Sequence, residues 1–305
     1  MFDFFKKKKL RPLPDRYSHL IDQKDYNTFL ELCLKNIEQA GEIIVQTDDG
    51  ELVVEPDAHG NERRHYLDNL IRIVVQREKG EWQQIVSEHF GKQRIIPHAL
   101  EYLYGDFEYA AKFVKAYIKA DDFPGVEEYV HQVNLPGTYT MLILDFDEKF
   151  HFLKRENIAS WGKTEDELFA LGFANISNEQ IDIGESTMND QHPMFTFFDG
   201  DFSSTYVIEL EKNAGFAIGT HGCLVAIPTK GSAFIHPIES RSVIDVVGHL
   251  SDVIQKFYEK DPGCITTRFY WFHEGVFDFF PEEVTKEGFV VVSCPTELRE
   301  RLEMK

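Results

Sequence analysis

The chain has 305 residues, 43% of them hydrophobic and 28% charged, which excludes a disordered protein and suits one large domain or two ordinary ones. Its formal net charge of -20 works against phosphate backbones, so a general nucleic-acid binder is excluded and the acidity reads as solubility. The 26 phenylalanines point to a thick core or to an apolar groove that holds a partner.

The first residues, MFDFFKKKKL, set Phe2, Phe4 and Phe5 before Lys6 to Lys9. No apolar stretch follows the lysines, so the segment does not read as a secretory signal. It reads as a solvated tail, with membrane contact at most weak and confined to residues 1–10. Tyr26, Phe29, Leu30, Cys33 and Ile37 recur at helical spacing and predict a helix over Asp22 to Ala40. Asp48-Asp49-Gly50 between Ile43-Ile44-Val45 and Leu52-Val53-Val54 predicts a hairpin. Further helices are expected from near Asn61 through Val74, over Trp82 to Phe90, and over His98 to Ala120. Asp121-Asp122-Phe123-Pro124-Gly125 then breaks the pattern, which predicts a boundary between a mainly helical region, 1–120, and a second domain, 125–305.

Beyond the break, Tyr139 to Phe146 is an apolar run fit for a buried strand, and Lys149 to Leu153 returns from it. Thr164 and Glu167 have capping-box spacing at the head of a helix. Strands are expected at Met194 to Phe198, Tyr206 to Leu210, Leu224 to Ile227, Ala233 to Ile235, Thr266 to Phe272 and Phe289 to Val292. Val243 to Tyr258 carries the clearest helical stripe, and Thr296 to Leu302 predicts a last helix. Helices and strands do not alternate strictly. The expected fold class is therefore α+β, with a mixed, mainly antiparallel sheet and packed helices after a helical N-terminal region.

Several landmarks of the second half share an order with a known family. They are Leu144-Asp145-Phe146-Asp147, Asn157 to Trp161, Thr164 to Leu168, Ala174-Asn175-Ile176, Leu224 to Thr229, Ala233 to Pro237, Val246 to Phe257, and Phe269 to Phe272 with Gly275. Over roughly residues 125–280 the chain resembles the DUF1444 family of YtpQ-like bacterial proteins. Ile176 departs from the Asn-Leu pair of that family. The resemblance implies a shared fold and carries no catalytic residue across, because the family has no established reaction.

Motifs of known chemistry are not found: there is no phosphate-binding glycine loop, no dinucleotide fingerprint and no nucleophile elbow. No cofactor is expected. Cys33, Cys223, Cys264 and Cys294 lack metal-ligand spacing and read as reduced, buried thiols, in keeping with a cytoplasmic protein. No two histidines have ligand spacing either, so no metal site is expected. His273-Glu274 closes an aromatic strand, where a strand end presents side chains to a cleft. The pairs Asp145/Asp147 and Asp199/Asp201 have the spacing of neighbours on one strand face, but Asp199-Gly200-Asp201 is also ordinary turn chemistry. Arg268 beside Phe269 to Phe272 suits an anionic or peptide partner, which makes Arg268, Trp271 and Glu274 the binding candidates. Asp145, His221 and His273 are the catalytic candidates. The leading functional expectation is a non-catalytic module that binds another protein or a peptide. The alternative is a hydrolase using Asp and His residues in a cleft of the C-terminal domain. Trp161 and Asn175 read as architectural, the first filling a helix corner and the second bridging backbone.

Overall fold

The computed structural model describes residues 11–48, 50–55, 63–92, 102–146, 149–198, 200–284 and 290–303. The fold is α+β, and the chain divides into two compact units between Ile96 and Pro97.

The first unit begins with a helix, α1 (Gln23–Gln39), whose N-cap Asp22 accepts from the Asp25 N–H at 2.8 Å. Its buried stripe of Tyr26, Phe29, Leu30, Cys33 and Ile37 is the one the spacing predicts. A three-stranded antiparallel sheet follows in the order β1 (Ile44–Asp48), β2 (Glu51–Val54), β3 (Arg63–Tyr66). Gly50, at φ +82°, closes the β1–β2 turn, and a Cβ there would strike the Tyr17 hydroxyl. The helix expected from near Asn61 is shorter than its pattern. Asn61 itself lies outside the described residues, 63–66 pair with β2, and helix α2 spans only Asp68–Val74. The backbone of Leu52 to Val54 is buried and needs a partner, which overrides local helix propensity. Helix α3 (Trp82–Lys92) completes the unit, with Trp82, Val86 and Phe90 in its core.

The second unit departs from three expectations. Residues 98–101 lie outside the described residues, and 102–105 form one helical turn. Asp106 then caps a short helix, α4 (Phe107–Ala110), and the chain turns into a strand, β4 (Val114–Ala120), where the stripe predicts helix. β4 pairs along its whole length with β6 (Thr138–Phe146), from Val114↔Leu144 to Ala120↔Thr138. That ladder fixes seven buried or half-buried residues, and it outweighs a helical stripe that already contained Gly105. It also spans Asp121 to Gly125, so this segment connects strands within one unit. The division lies about 25 residues earlier than the sequence pattern places it. β5 (His131–Gln132) and β7 (Lys149–Phe152) complete this sheet on β6. After a short helix, α5 (Arg155–Ile158), the expected capping box opens helix α6 (Glu165–Ile176). α6 lies so close to β4 that a Cβ on Gly172 would stand 2.9 Å from the Ala116 backbone nitrogen.

The largest sheet is wholly antiparallel, in the order β13-β12-β10-β11-β9-β8. Its strands are β8 (Asp182–Met188), β9 (His192–Phe198), β10 (Cys223–Thr229), β11 (Ser232–Pro237), β12 (Phe269–His273) and β13 (Val276–Phe279). β10 is buried on both faces. Cys223, Val225 and Ile227 join one core cluster, and Leu224 and Ala226 the other. The second face is covered by helix α9 (Val243–Lys260) through Val243, Val246, Val247, Leu250 and Ile254.

Tyr206 to Leu210, expected as a strand, belongs instead to helical turns. Helix α7 (Ser203–Tyr206) and helix α8 (Leu210–Ala214) flank a 3-10 turn at Val207–Glu209. Val207, Leu210, Ala214 and Ala217 recur at helical spacing and fill the other face of the sheet. A hairpin of β14 (Glu282–Val284) and β15 (Val290–Val292) leads to the last helix, α10 (Thr296–Glu303), whose Leu298 joins the α9 cluster. Among the described residues no helix is long and apolar enough to cross a membrane.

Candidate functional site

Four of the six candidate residues meet at one end of the large sheet. Gly219 and Gly222 bridge each other before β10 and throw His221 into the turn between them. Gly222, at φ +85°, leaves no room for a Cβ beside the Phe272 carbonyl, so the turn lies flat on β12. Trp271 donates its indole N–H to the His221 carbonyl at 2.8 Å, and the His221 N–H reaches the Ile238 carbonyl at 3.0 Å. The Trp271 and His273 rings stack at 5.1 Å and 5° between planes. His273 Nε2 lies 3.3 Å from Glu274 Oε1, off the alignment of a hydrogen bond. Glu274 (φ +48°) and Gly275 (φ +78°) form the two-residue turn between β12 and β13. That turn demands left-handed backbone at both positions, at a cost of about 1 kcal/mol for a glutamate. Trp271 is buried under the α9 face, so its ring serves the core and its N–H serves the turn. His221 is 7% exposed, and its Nε2, like that of His273, has no hydrogen-bond partner among the described residues.

Asp145 stands apart from this cluster, on β6. Lys115 on β4 holds Asp145 and Glu179 at 2.5 Å each, with its ammonium 4.5 Å from the centre of the Phe202 ring. Burial pulls the Lys115 pKa down, but the hydrogen bonds it donates to both carboxylates, with their charge, outweigh this and raise the pKa overall. Asp145 is thus committed to a charged lysine in an aromatic surround of Tyr117, Phe150 and Phe202. Arg268 lies at the opposite end of β12 from His273. Its guanidinium sits 4.8 Å from the Phe279 ring centre, against Gly137. Asp201 pairs with Lys230 at 2.7 Å, while Asp147 and Asp199 lie outside the described residues.

The second site, the outer strand β8, has no counterpart in the sequence expectations. β8 pairs with β9 from Asp182↔Phe198 to Met188↔His192 and, among the described residues, closes the strand order on that side. Pro193 has no N–H to exchange, which puts Thr187↔Pro193 in the non-hydrogen-bonded class. By alternation the N–H and C=O groups of Ile183, Glu185 and Thr187 face away from β9. Asp182, Glu185, Ser186 and Thr187 are exposed. Phe198 (39% exposed) on one face and Phe216 (59% exposed) on the other flank this edge, Phe216 leaning on Phe195 at 5.2 Å. The usable signal in the sequence was Asn189-Asp190, a turn pair just ahead of a predicted strand.

Among the described residues, no group of three or more His, Cys, Asp or Glu side chains is placed to hold a metal ion. No family model matches the chain, and neither a curated protein nor a solved structure matches it.

Proposed function

We propose that the chain is a non-catalytic binding module that takes up an extended segment of another protein along β8. The observation that carries this reading is a seven-residue edge strand with backbone groups directed outward and exposed phenyl rings on both flanks. Strand addition draws its affinity from main-chain hydrogen bonds and its selectivity from alternate side chains, and such an edge supplies both. The four free thiols suit a reducing compartment, and we place the protein in the cytoplasm. We further infer that residues 125–280 are kin in fold to the DUF1444 family, which brings no activity with it. The hydrolase alternative draws support from the unpartnered His221 and His273 nitrogens, but of the carboxylates near them Glu239 accepts from the Thr220 N–H at 2.9 Å and Glu274 is exposed.

Affinity capture from native cytosol with the wild-type chain and with Glu185→Pro tests the choice. The proline removes an outward N–H and leaves the β9 ladder untouched. The expected result is a stoichiometric partner held by the wild type and lost from the variant. Equal capture by both chains, or substrate turnover that disappears with His273→Ala, would overturn the binding reading.

A further inference from the structure

We propose that the occupant of β8 is a basic extended segment, with an arginine or lysine opposite Glu185 and an apolar or aromatic residue against Phe198. This rests on the binding-module reading and names what the module binds.

Side-chain alternation sorts the edge into two faces. Ile183, Glu185 and Thr187 share one face with Phe195 and Phe197, while Asp182, Gly184, Ser186 and Met188 share the other with Phe198. Gly184 has no side chain, and Phe198 Cε1 comes within 3.2 Å of where a Cβ would stand. The Phe198 ring therefore lies across Gly184 and reaches toward the open side. An added strand runs about 4.8 Å away, so its residue opposite Gly184 meets the ring and the next residue, on the other face, meets Glu185. The demand is an apolar or aromatic side chain beside a basic one.

Charge selects among occupants. Glu185 is exposed at the centre of β8, with Asp182 at one end and Asp190 just past the other. A second copy of the chain, paired antiparallel over all seven residues, would set Glu185 against Glu185. Like charges directly opposite each other destabilise a ladder, and two bodies of net charge -20 repel at longer range. A charged residue in mid-edge is a device against self-pairing. The same carboxylate that refuses a second copy favours a cationic strand.

The probe is a labelled seven-residue peptide that alternates lysine with valine and phenylalanine, compared with its glutamate counterpart, on the full-length chain. Fluorescence anisotropy should show the basic peptide binding and the acidic one about tenfold weaker or worse, with the difference shrinking as salt rises. Glu185→Lys, which leaves the backbone alone, should reverse the order of the two peptides. Glu185→Pro, checked for folding by circular dichroism, should abolish binding of both. Amide exchange at Ile183, Glu185 and Thr187 should slow when the basic peptide is present. Basic-peptide binding that survives Glu185→Pro, protection that appears elsewhere, no binding at millimolar peptide, or a β8-dependent dimer without peptide would each overturn the proposal. If the peptides fail while the native partner is still captured through β8, the basic occupant falls and the module reading stands. If capture also ignores Glu185→Pro, both fall.

Discussion

His236 shows how one buried side chain ties stability to pH. It is 4% exposed on β11, donates from Nδ1 to the Pro193 carbonyl at 2.8 Å, and faces the His192 ring. Burial lowers its pKa below the ordinary 6.5 and the neighbouring His192 adds to this, while the Pro193 carbonyl and Glu239 pull the other way. The unfolded chain therefore takes up a proton near pH 6.5 that the folded chain still refuses. Stability is whole above that pH and is lost as the pH falls toward the folded pKa. Urea midpoints at pH 7.5 and 5.5 should drop less in His236→Gln than in the wild type, and equal drops would refute the assignment. Single residues were legible in the sequence where the residue type alone dictates the role, whatever partner the fold supplies. Asn175 spans backbone, giving its side-chain N–H groups to the Ala111 and Val114 carbonyls at 2.9 and 2.7 Å, and Trp161 buries its ring with its N–H on the Tyr104 carbonyl. The grouping of His221, Trp271, His273 and Glu274 was not legible, because it depends on a turn 50 residues away in sequence lying flat on β12.

At the scale of elements, long periodic segments and turn chemistry carried the reading. The stripes of α1 and α9, the hairpin that turns at Gly50 and the Thr164 capping box all stand where their patterns put them. Failures occurred where a ladder partner decided the outcome. Val114 to Ala120 carries residues acceptable to helix or strand, and only β6 resolves them. β8 hid because an edge strand needs few apolar residues; Ile183 and Met188 stand around Gly184 and polar neighbours. The β4–β6 ladder gives a test by truncation. A fragment of residues 97–305 keeps both strands and should unfold cooperatively in urea. A fragment of residues 125–305 lacks β4, which exposes one side of β6 and the α6 contact at Gly172. It should be insoluble or lack a cooperative transition, and a well-folded 125–305 fragment would contradict the division at Ile96–Pro97.

For the whole molecule, acidity spread over 52 carboxylates against 32 basic side chains keeps copies apart once folding is finished. It offers less protection during synthesis. β10, buried on both faces, is bonded on one side to β11, which follows almost at once, and on the other to β12. Between Thr229 and Phe269 the ribosome must add about 40 residues, including all of α9, which at about 5–20 residues per second takes roughly 2–8 s. Throughout that interval a nascent β8–β9–β11–β10 sheet presents an apolar edge with nothing to close it, a template for wrong pairing. Ribosome-bound chains carrying residues 1–260 ahead of a flexible spacer that fills the exit tunnel should bind a hydrophobic dye and recruit holdase chaperones, and chains extended past β13 ahead of the same spacer should release them; dye binding of equal strength at both lengths would show that β10 is shielded earlier. The order in which this sheet is made thus leaves its most water-averse strand half-paired for seconds, the one period in the life of the protein when its net charge cannot do the work of a missing neighbour.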